Sequence, residues 1–387
     1  MIQFTKFFKN NKVALFIYLV INYFFLLKYA DRQEFVPKFL VLLLYNIVII
    51  LTLYLIDLFK NYLNKIKSNN YYFLGFCLIV FIIFMAINIF VDGNSINSDR
   101  WSAMEATIRG VLNGEYPYKL KDHLGKTSSN LPGLFYLGLP FYLLGNVSLL
   151  QPFVFLIISL LIFKSRILID KKLTLIFLLI ASPAYLWEVI AKSDLLSNII
   201  LLVLFLILWD YKFKNNYFKL PFLLSFFCAF FILTRGIVAI PLTLFLFREF
   251  LNTSISKKLK FSFGLVFFII LISFPFLLTL PDFEIIKEHN PFNHQTRFTP
   301  KWVQIFFIVL PFILAIKIKK IHQVIFQSLI LFTLLLFLSF VFEIIDEGFK
   351  NTLYKSYFDI SYLTMAMPFA ILYYVFRTKD FGDKLEE

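Results

Sequence analysis

Apolar runs of membrane-crossing length recur along this chain from end to end, separated by short polar breaks. A helix needs roughly 17–25 predominantly apolar residues to cross a bilayer. Runs of that order fall near 13–27, 36–59, 71–91, 148–163, 172–187, 193–209, 219–234, 236–250, 261–280, 302–316, 323–342 and 359–376, with a shorter one at 131–146. The pattern predicts an all-α fold: a polytopic transmembrane helical bundle of about 11–13 membrane segments, with residues 1–387 forming a single integral membrane domain. The longest polar break is 92–130, and 281–301 and 343–358 are smaller ones.

The 92–130 break has a period of its own. Trp101, Met104, Ile108, Val111 and Leu112 follow the i, i+3, i+7, i+10, i+11 series of one helical face, while Arg100, Glu105, Arg109 and Asn113 fall on other faces. Asn97 or Ser98 can cap such a helix and Gly114 can stop it. An amphipathic helix lying in the outer interface plane is expected. Periodicity alone favours an ordinary amphipathic connector over a functional element.

Composition removes the soluble alternatives. The chain is 60% hydrophobic, with 53 Phe, 20 Tyr and a mean hydropathy of +0.79, which a soluble domain could not carry without aggregating. Lys6, Lys9 and Lys12 precede the first run and no small-residue cleavage site follows it, so no removable signal peptide is expected. The Lys- and Phe-rich composition suits an AT-rich bacterial genome, and with it a bacterial inner membrane.

Charge orients the bundle. The loops 1–12, 60–70, 164–171, 210–219, 248–260, 317–322 and the tail from Arg377, with adjoining residues, hold 23 basic against 8 acidic residues, a surplus of 15. The remainder holds 15 basic against 16 acidic, a deficit of 1, so the net charge of +14 is a positive-inside signal and calls for no nucleic-acid partner. Both termini are then expected in the cytoplasm, and 92–130, 188–193, 281–301 and 343–358 outside. One segment resists. If 131–146 and 148–163 both cross, the basic loop at Lys164, Arg166, Lys171 and Lys172 lands outside. Pro132, Pro140 and Gly145 interrupt 131–146, which favours a re-entrant or half-membrane segment over a local failure of the charge rule.

Cys77 and Cys228 lie inside apolar runs and read as small buried hydrophobes. His289 and His294 share an outer break with Asp282, Glu284 and Glu288, so a divalent cation is conceivable there, but the spacing matches no standard ligand pattern. No metal ligands and no cofactor are assigned.

The strongest candidate chemistry is Asp99. It is expected in the first helical turn, where the dipole favours an ionised carboxylate, and a carboxylate held at a membrane boundary can take a proton from a hydroxyl. Arg100 and Arg109 from the same helix and Lys192 from the 188–193 loop are cations that could meet a phosphate. Of 8 Arg, 5 (Arg32, Arg100, Arg109, Arg235, Arg297) lie outside the cytoplasmic loops, and Arg grips phosphate through two N–H groups where Lys cannot. Arg235 divides a 31-residue apolar run, too long for one ordinary span, into 219–234 and 236–250. It either caps a tight outer turn or points into a cavity.

These residues carry a resemblance. The stretch Asp99-Arg100-Trp101, then Ala103 and Ala106, then Leu112-Asn113-Gly114-Glu115-Tyr116-Pro117-Tyr118, then Asn130-Leu131-Pro132-Gly133-Leu134-Phe135-Tyr136 resembles the glycosyltransferase C superfamily. The nearest pattern is that of the polyprenol-phosphate-mannose-dependent mannosyltransferases, including the first GPI mannosyltransferase type. Ser182-Pro183 with Ala191-Lys192-Ser193-Asp194, and Thr234-Arg235-Gly236 with Pro241, are further echoes. The chain departs where the family has Tyr after the acid and Tyr-Pro-Pro before the next helix. The resemblance implies inverting transfer of a sugar, a hexose such as mannose, from a polyprenyl-phosphate donor to a glycan or glycolipid acceptor at the outer face. It gives Asp99 the role of general base. Asp194, Arg235, Arg100, Arg109, Lys192 and Arg297 would serve the donor phosphate or its cavity, and Trp101, Glu105, Tyr116 and Tyr118 the sugar or acceptor. The absence of a glycine-rich nucleotide motif agrees with a lipid-carried donor. The competing reading is a transporter or lipid-linked sugar flippase, against which no internal repeat or matched pair of broken helices is found. A non-catalytic assembly subunit is a third.

Overall fold

The computed structural model describes residues 12–376 except 33 and 66–68, and for His294 the backbone alone. The segments 1–11 and 377–387, which charge places in the cytoplasm, and Lys67 of the 60–70 loop lie outside the described residues. The helices in chain order are α1 (Lys12–Ala30), α2 (Lys38–Lys65), α3 (Asn69–Phe90), α4 (Arg100–Leu112), α5 (Pro132–Leu143), α6 (Leu150–Lys164), α7 (Ile169–Ile180), α8 (Pro183–Ile190) and α9 (Leu195–Phe213). There follow α10 (Pro221–Ile232), α11 (Ala239–Asn252), α12 (Ile255–Leu277), α13 (Phe283–Glu288), α14 (Pro291–Thr296), α15 (Lys301–Ala315), α16 (Ile321–Glu347), α17 (Phe349–Leu353) and α18 (Met367–Val375). Among the described residues no strand forms, and one isolated bridge joins Lys121 to Thr127.

Among the described residues, seven helices are long and apolar enough to cross a membrane: α1, α2, α3, α6 with its preceding turn, α9, α12 and α16. The apolar helices α10, α15 and Ile360–Val375 are shorter. The run expected as one span over 172–187 is instead two helices, α7 and α8, bent by 60°. Pro183 causes the break, because it has no N–H to continue the ladder and its ring crowds the preceding turn. The freed backbone groups find partners. Ser182 caps α8 by accepting from the Tyr185 N–H, and the Tyr18 hydroxyl donates to the Leu178 carbonyl at 2.8 Å. Asn22 accepts from the Ser182 hydroxyl at 2.7 Å and from the Ala184 N–H at 3.2 Å. An irregular backbone at membrane depth is tolerated only when satisfied in this way.

The polar breaks fall into two sets. At one end, Asn64 donates to Asp170 at 3.0 Å, Lys172 donates to Asn70 and to the Ser165 carbonyl at 2.9 and 2.8 Å, and Arg248 donates to the Ile318 carbonyl at 3.1 Å. At the other, Arg100 meets Asp359, Gln295 donates to the Ser129 carbonyl at 2.9 Å, and Lys192 lies over the Trp101 ring. The first set joins loops from the basic group, and the second joins loops from the other.

The segment 131–146 is tied at both sides to the residues around Asp194 and Arg235. At its start the Gly133 N–H donates to the Leu233 carbonyl at 2.8 Å, two residues before Arg235. Just after it, Gln151 donates to the Ser193 carbonyl at 2.5 Å, next to Asp194. Asp194 and Arg235 are themselves bridged, so the residues flanking α5 are linked through this one ion pair. Gly133 is required for this approach, since a Cβ there would lie 2.6 Å from the Phe230 carbonyl oxygen.

Candidate functional site

The site grows from the start of α4. Asp92 caps the turn Gly93–Ser95, and the chain then delivers Asp99 to the N-cap position of α4. Asp99 is therefore one residue ahead of the expected first turn, and it replaces Asn97 or Ser98 as the cap residue, without a side-chain capping bond. Its carboxylate faces Lys126 at 3.4 Å and keeps 29% of its exposure, so it is reachable from water. Gly114, with φ +73°, follows the end of α4 as expected.

Arg100 turns inward. Its guanidinium pairs with Asp359 at 2.5 Å and lies over the Tyr362 ring at 4.8 Å. Burial alone would push this guanidinium down; Tyr362 and the carboxylates of Asp359, Asp99 and Asp194 outweigh it and hold it well above its ordinary value. Desolvation likewise pushes the Asp359 carboxyl up, but Arg100 and Ser361 reverse the effect and bring it to about 2. Asp194 is the N-cap residue of α9 and pairs with Arg235 at 2.5 Å, with 2% and 7% of the two side chains exposed. Arg235 is thus neither a solvated cap nor a lone charge.

Trp101 makes a layered stack. Its ring packs on His123 at 5.4 Å and carries Lys192 at 5.8 Å, and a Cβ on Gly93 would strike it at 2.7 Å. His123 in turn shares a hydrogen bond with the Ser102 hydroxyl at 2.6 Å. Burial pushes the Lys192 ammonium down, opposed by Asp92. Lys192 is held at φ +55°.

A groove of about 390 Å³ opens beside these pairs. Its lining includes the polar residues Arg235, Gln295, Thr299, Gln304 and Ser339, and apolar ones among them Ile240, Phe307, Phe312 and Leu335. Among the described residues, Arg235 Nε in the lining and, outside it, Arg100 Nε and Asn130 Nδ2 are buried N–H donors without a hydrogen-bond partner. Tyr362 links Arg100 to the groove through its ring, and Asn130 follows Ser129, which Gln295 holds.

Other expected residues fall elsewhere. Arg109 is exposed on α4 and Glu105 is half-buried. Tyr116 and Tyr118 pack edge-on at 5.4 Å, and Tyr118 lies against Phe276 of α12 at 5.9 Å, inside the packed core. Burial pushes both phenols up. Arg297 is exposed and folds back over its neighbour Phe298 at 4.3 Å. Among the described residues no three His, Cys, Asp or Glu side chains gather as metal ligands; His289 lies 4.0 Å from Glu288.

Four residues join the site that the motifs did not mark: Asp359, Tyr362, Lys126 and Glu188. Asp359 carried a signal, being the one acid between Glu347 and Asp380, at the head of an apolar run. Glu188 is fully buried and accepts from the Leu196 N–H, the Ser197 N–H and the Ser197 hydroxyl at 2.7, 2.7 and 2.6 Å. It anchors the first turn of α9, and so the position of Asp194. Comparison with protein-family models, curated proteins and solved structures gave no match.

Proposed function

We propose that the protein is a membrane glycosyltransferase that moves a hexose such as mannose from a polyprenyl-phosphate donor to a glycan or glycolipid acceptor at the outer face. The observation that carries this reading is the groove in which the buried Arg235, its Nε without a hydrogen-bond partner, meets a largely apolar lining. Unpaired buried donors are costly, and an anion relieves them. Apolar walls beside them fit a prenyl chain, which a soluble nucleotide sugar lacks.

The chemistry on this reading is a displacement at the anomeric carbon. Asp99 takes the proton from the acceptor hydroxyl, and the oxygen attacks the anomeric carbon. The bond from that carbon to the phosphate oxygen breaks, its electron pair leaves with the lipid phosphate, and the configuration inverts. Arg235, steadied by Asp194, stabilises the departing charge. Arg100 and Asp359 hold the start of α4, and with it Asp99. Lys192 and Trp101 border the acceptor side.

On this reading the seven long helices, the bent α7–α8 pair, the three shorter apolar helices and α11 make about 12 traverses. The termini share the cytoplasmic side of a bacterial inner membrane, α4 lies at the outer interface, and α5 is re-entrant. One observation favours a transporter or flippase instead, the 60° bend between α7 and α8. Among the described residues that bent pair has no counterpart. Purified protein, a radiolabelled polyprenyl-phosphate mannose and a candidate glycolipid acceptor separate the two. Release of the sugar from the lipid phosphate supports the transferase; movement of intact donor across a proteoliposome membrane without release overturns it.

A further inference from the structure

The turn 122–126 presents His123 to the start of α4. Asp122 pins that turn: its Oδ1 accepts from the Leu124 and Lys126 N–H groups at 2.7 and 3.0 Å, and its own N–H donates to the Lys126 carbonyl at 2.9 Å. A second tie reaches α4 five residues on, where the Thr107 hydroxyl donates to Ser128 at 2.8 Å. His123 therefore meets α4 from a fixed support. The charged groups about its ring are Lys121, Asp122 and Lys126 of its own turn and Asp99, which pairs with Lys126. Lys192, drawn by Asp92, shares the Trp101 ring, and Arg100 turns away to Asp359.

The His123 ring and one hydroxyl join two backbone carbonyls. His123 Nε2 lies 3.3 Å from the Ile96 carbonyl oxygen, and His123 Nδ1 lies 2.6 Å from the buried Ser102 hydroxyl. That hydroxyl lies 3.2 Å from the Asp99 carbonyl oxygen. Each carbonyl also accepts a backbone N–H, from Ser98 and Ala103 respectively, and has a second lone pair to offer. The chain has three links, and each needs one proton. The carbonyls at its ends only accept, so all three protons come from the ring and the hydroxyl. Neutral imidazole brings one and the hydroxyl one, which leaves a link open. Imidazolium brings two, and all three close: Nε2–H donates to Ile96, Nδ1–H to Ser102, and the Ser102 hydroxyl to Asp99.

We propose that His123 is a positioning residue for Asp99, and that its protonated form locks the start of α4. Ile96 stands three residues before Asp99 and Ser102 three after it, so the added proton ties the backbone that carries the Asp99 carboxylate from both sides. The Trp101 indole, stacked on His123 at 5.4 Å, gives a cationic ring a favourable face. The catalytic half of this proposal rests on the transferase reading; the proton-dependent lock does not.

The test takes the full-length protein in detergent between about pH 5 and pH 8, the interval in which a histidine side chain changes charge. A protonated imidazole quenches an indole stacked on it, so wild-type tryptophan fluorescence should fall in a one-proton step as pH is lowered. His123→Asn should abolish the step, and Ser102→Ala should keep it, since the ring and the indole are untouched. Amide exchange over residues 96–103 reads the lock itself. Compared with Ser102→Ala at the same pH, the wild type should be more protected at about pH 6 than at about pH 8. In transfer from polyprenyl-phosphate mannose, the advantage of the wild type over Ser102→Ala in kcat should be about three- to tenfold larger at the lower pH, the worth of about one hydrogen bond. A purely structural role would lower kcat by one factor at both pH values. A step of equal size in His123→Asn, or protection relative to Ser102→Ala that ignores pH, overturns the lock. A pH-dependent lock with a pH-independent kcat advantage overturns the positioning role. A wild type that transfers no sugar overturns the transferase reading, and with it the catalytic half, while fluorescence and exchange still decide the lock.

Discussion

At the scale of single residues, the site is two ion pairs and one reachable acid. Asp99→Asn keeps shape and polarity but removes the base, so turnover should fall by about 10²-fold or more with folding retained. A rate near wild type would move the role to Glu105, Asp194 or Asp92. Arg235→Lys keeps charge but loses the guanidinium fork; kcat/KM with the lipid donor should fall by about 30- to 1000-fold, the equivalent of about 2–4 kcal/mol. Arg235→Ala also strands the buried Asp194 carboxylate and should cost a further 3–5 kcal/mol or so of stability, read as a lower Tm in detergent. Retained activity in the Lys variant would leave Arg235 as structure. Asp359 gives a pH test. Its carboxyl is lowered from the ordinary 3.8 to about 2, so its pair with Arg100 stabilises the fold fully above the ordinary value and loses that contribution as pH falls through the lowered one. The Tm gap between wild type and Asp359→Asn should therefore hold constant from pH 8 to about pH 5 and narrow only below about pH 4. A gap that closes near neutrality would contradict the pairing. Asp99, Asp194 and Arg235 were legible in the sequence because a charge in an apolar chain is conspicuous and a motif flanks each. Asp359 was as conspicuous but had no motif, and its partner lies 259 residues away, which no local pattern reports.

At the scale of elements, the helices over long apolar runs formed where periodicity and length put them, and the divisions at Arg235 and Gly114 held. The bend at Pro183 did not show as a break, because hydropathy is blind to a missing N–H inside an apolar run. The expected apolar face of α4 also changed character. Met104 and Ile108 are buried as expected, but Leu112 is 53% exposed, while Ala106, Thr107 and Gly110 are buried on other faces. The helix is packed on more than one side, and small residues make that closeness feasible. The tethered path of α5 makes two predictions. Gly133→Ala should push α5 from the Phe230–Leu233 backbone and destabilise the protein by about 1–3 kcal/mol, measured as Tm in detergent. A single Cys at Asn146 should react with an impermeant thiol reagent from the same side of the membrane as one at Ser129. Reaction from opposite sides would mean that α5 crosses.

At the scale of the whole molecule, loops far apart in sequence meet in the groups that charge assigned them to. Single-Cys variants on intact cells give the sidedness: position 129 should label from outside and position 256 should not. Labelling at 256 alone would invert the bundle and put Asp99 in the wrong compartment. The distance along the chain between Arg100 and Asp359 also sets an order of events during synthesis. At about 5–20 residues per second, the ribosome adds the intervening 259 residues in roughly 13–50 s. For that interval the nascent chain carries a half-buried guanidinium whose counter-charge does not yet exist. The start of α4 can reach its final position only when the residues around Asp359 have been made, so this end of the bundle is finished last. A chain stopped after α16 would keep most of its long apolar helices and leave the Arg100 guanidinium without the Asp359 carboxylate that pairs with it.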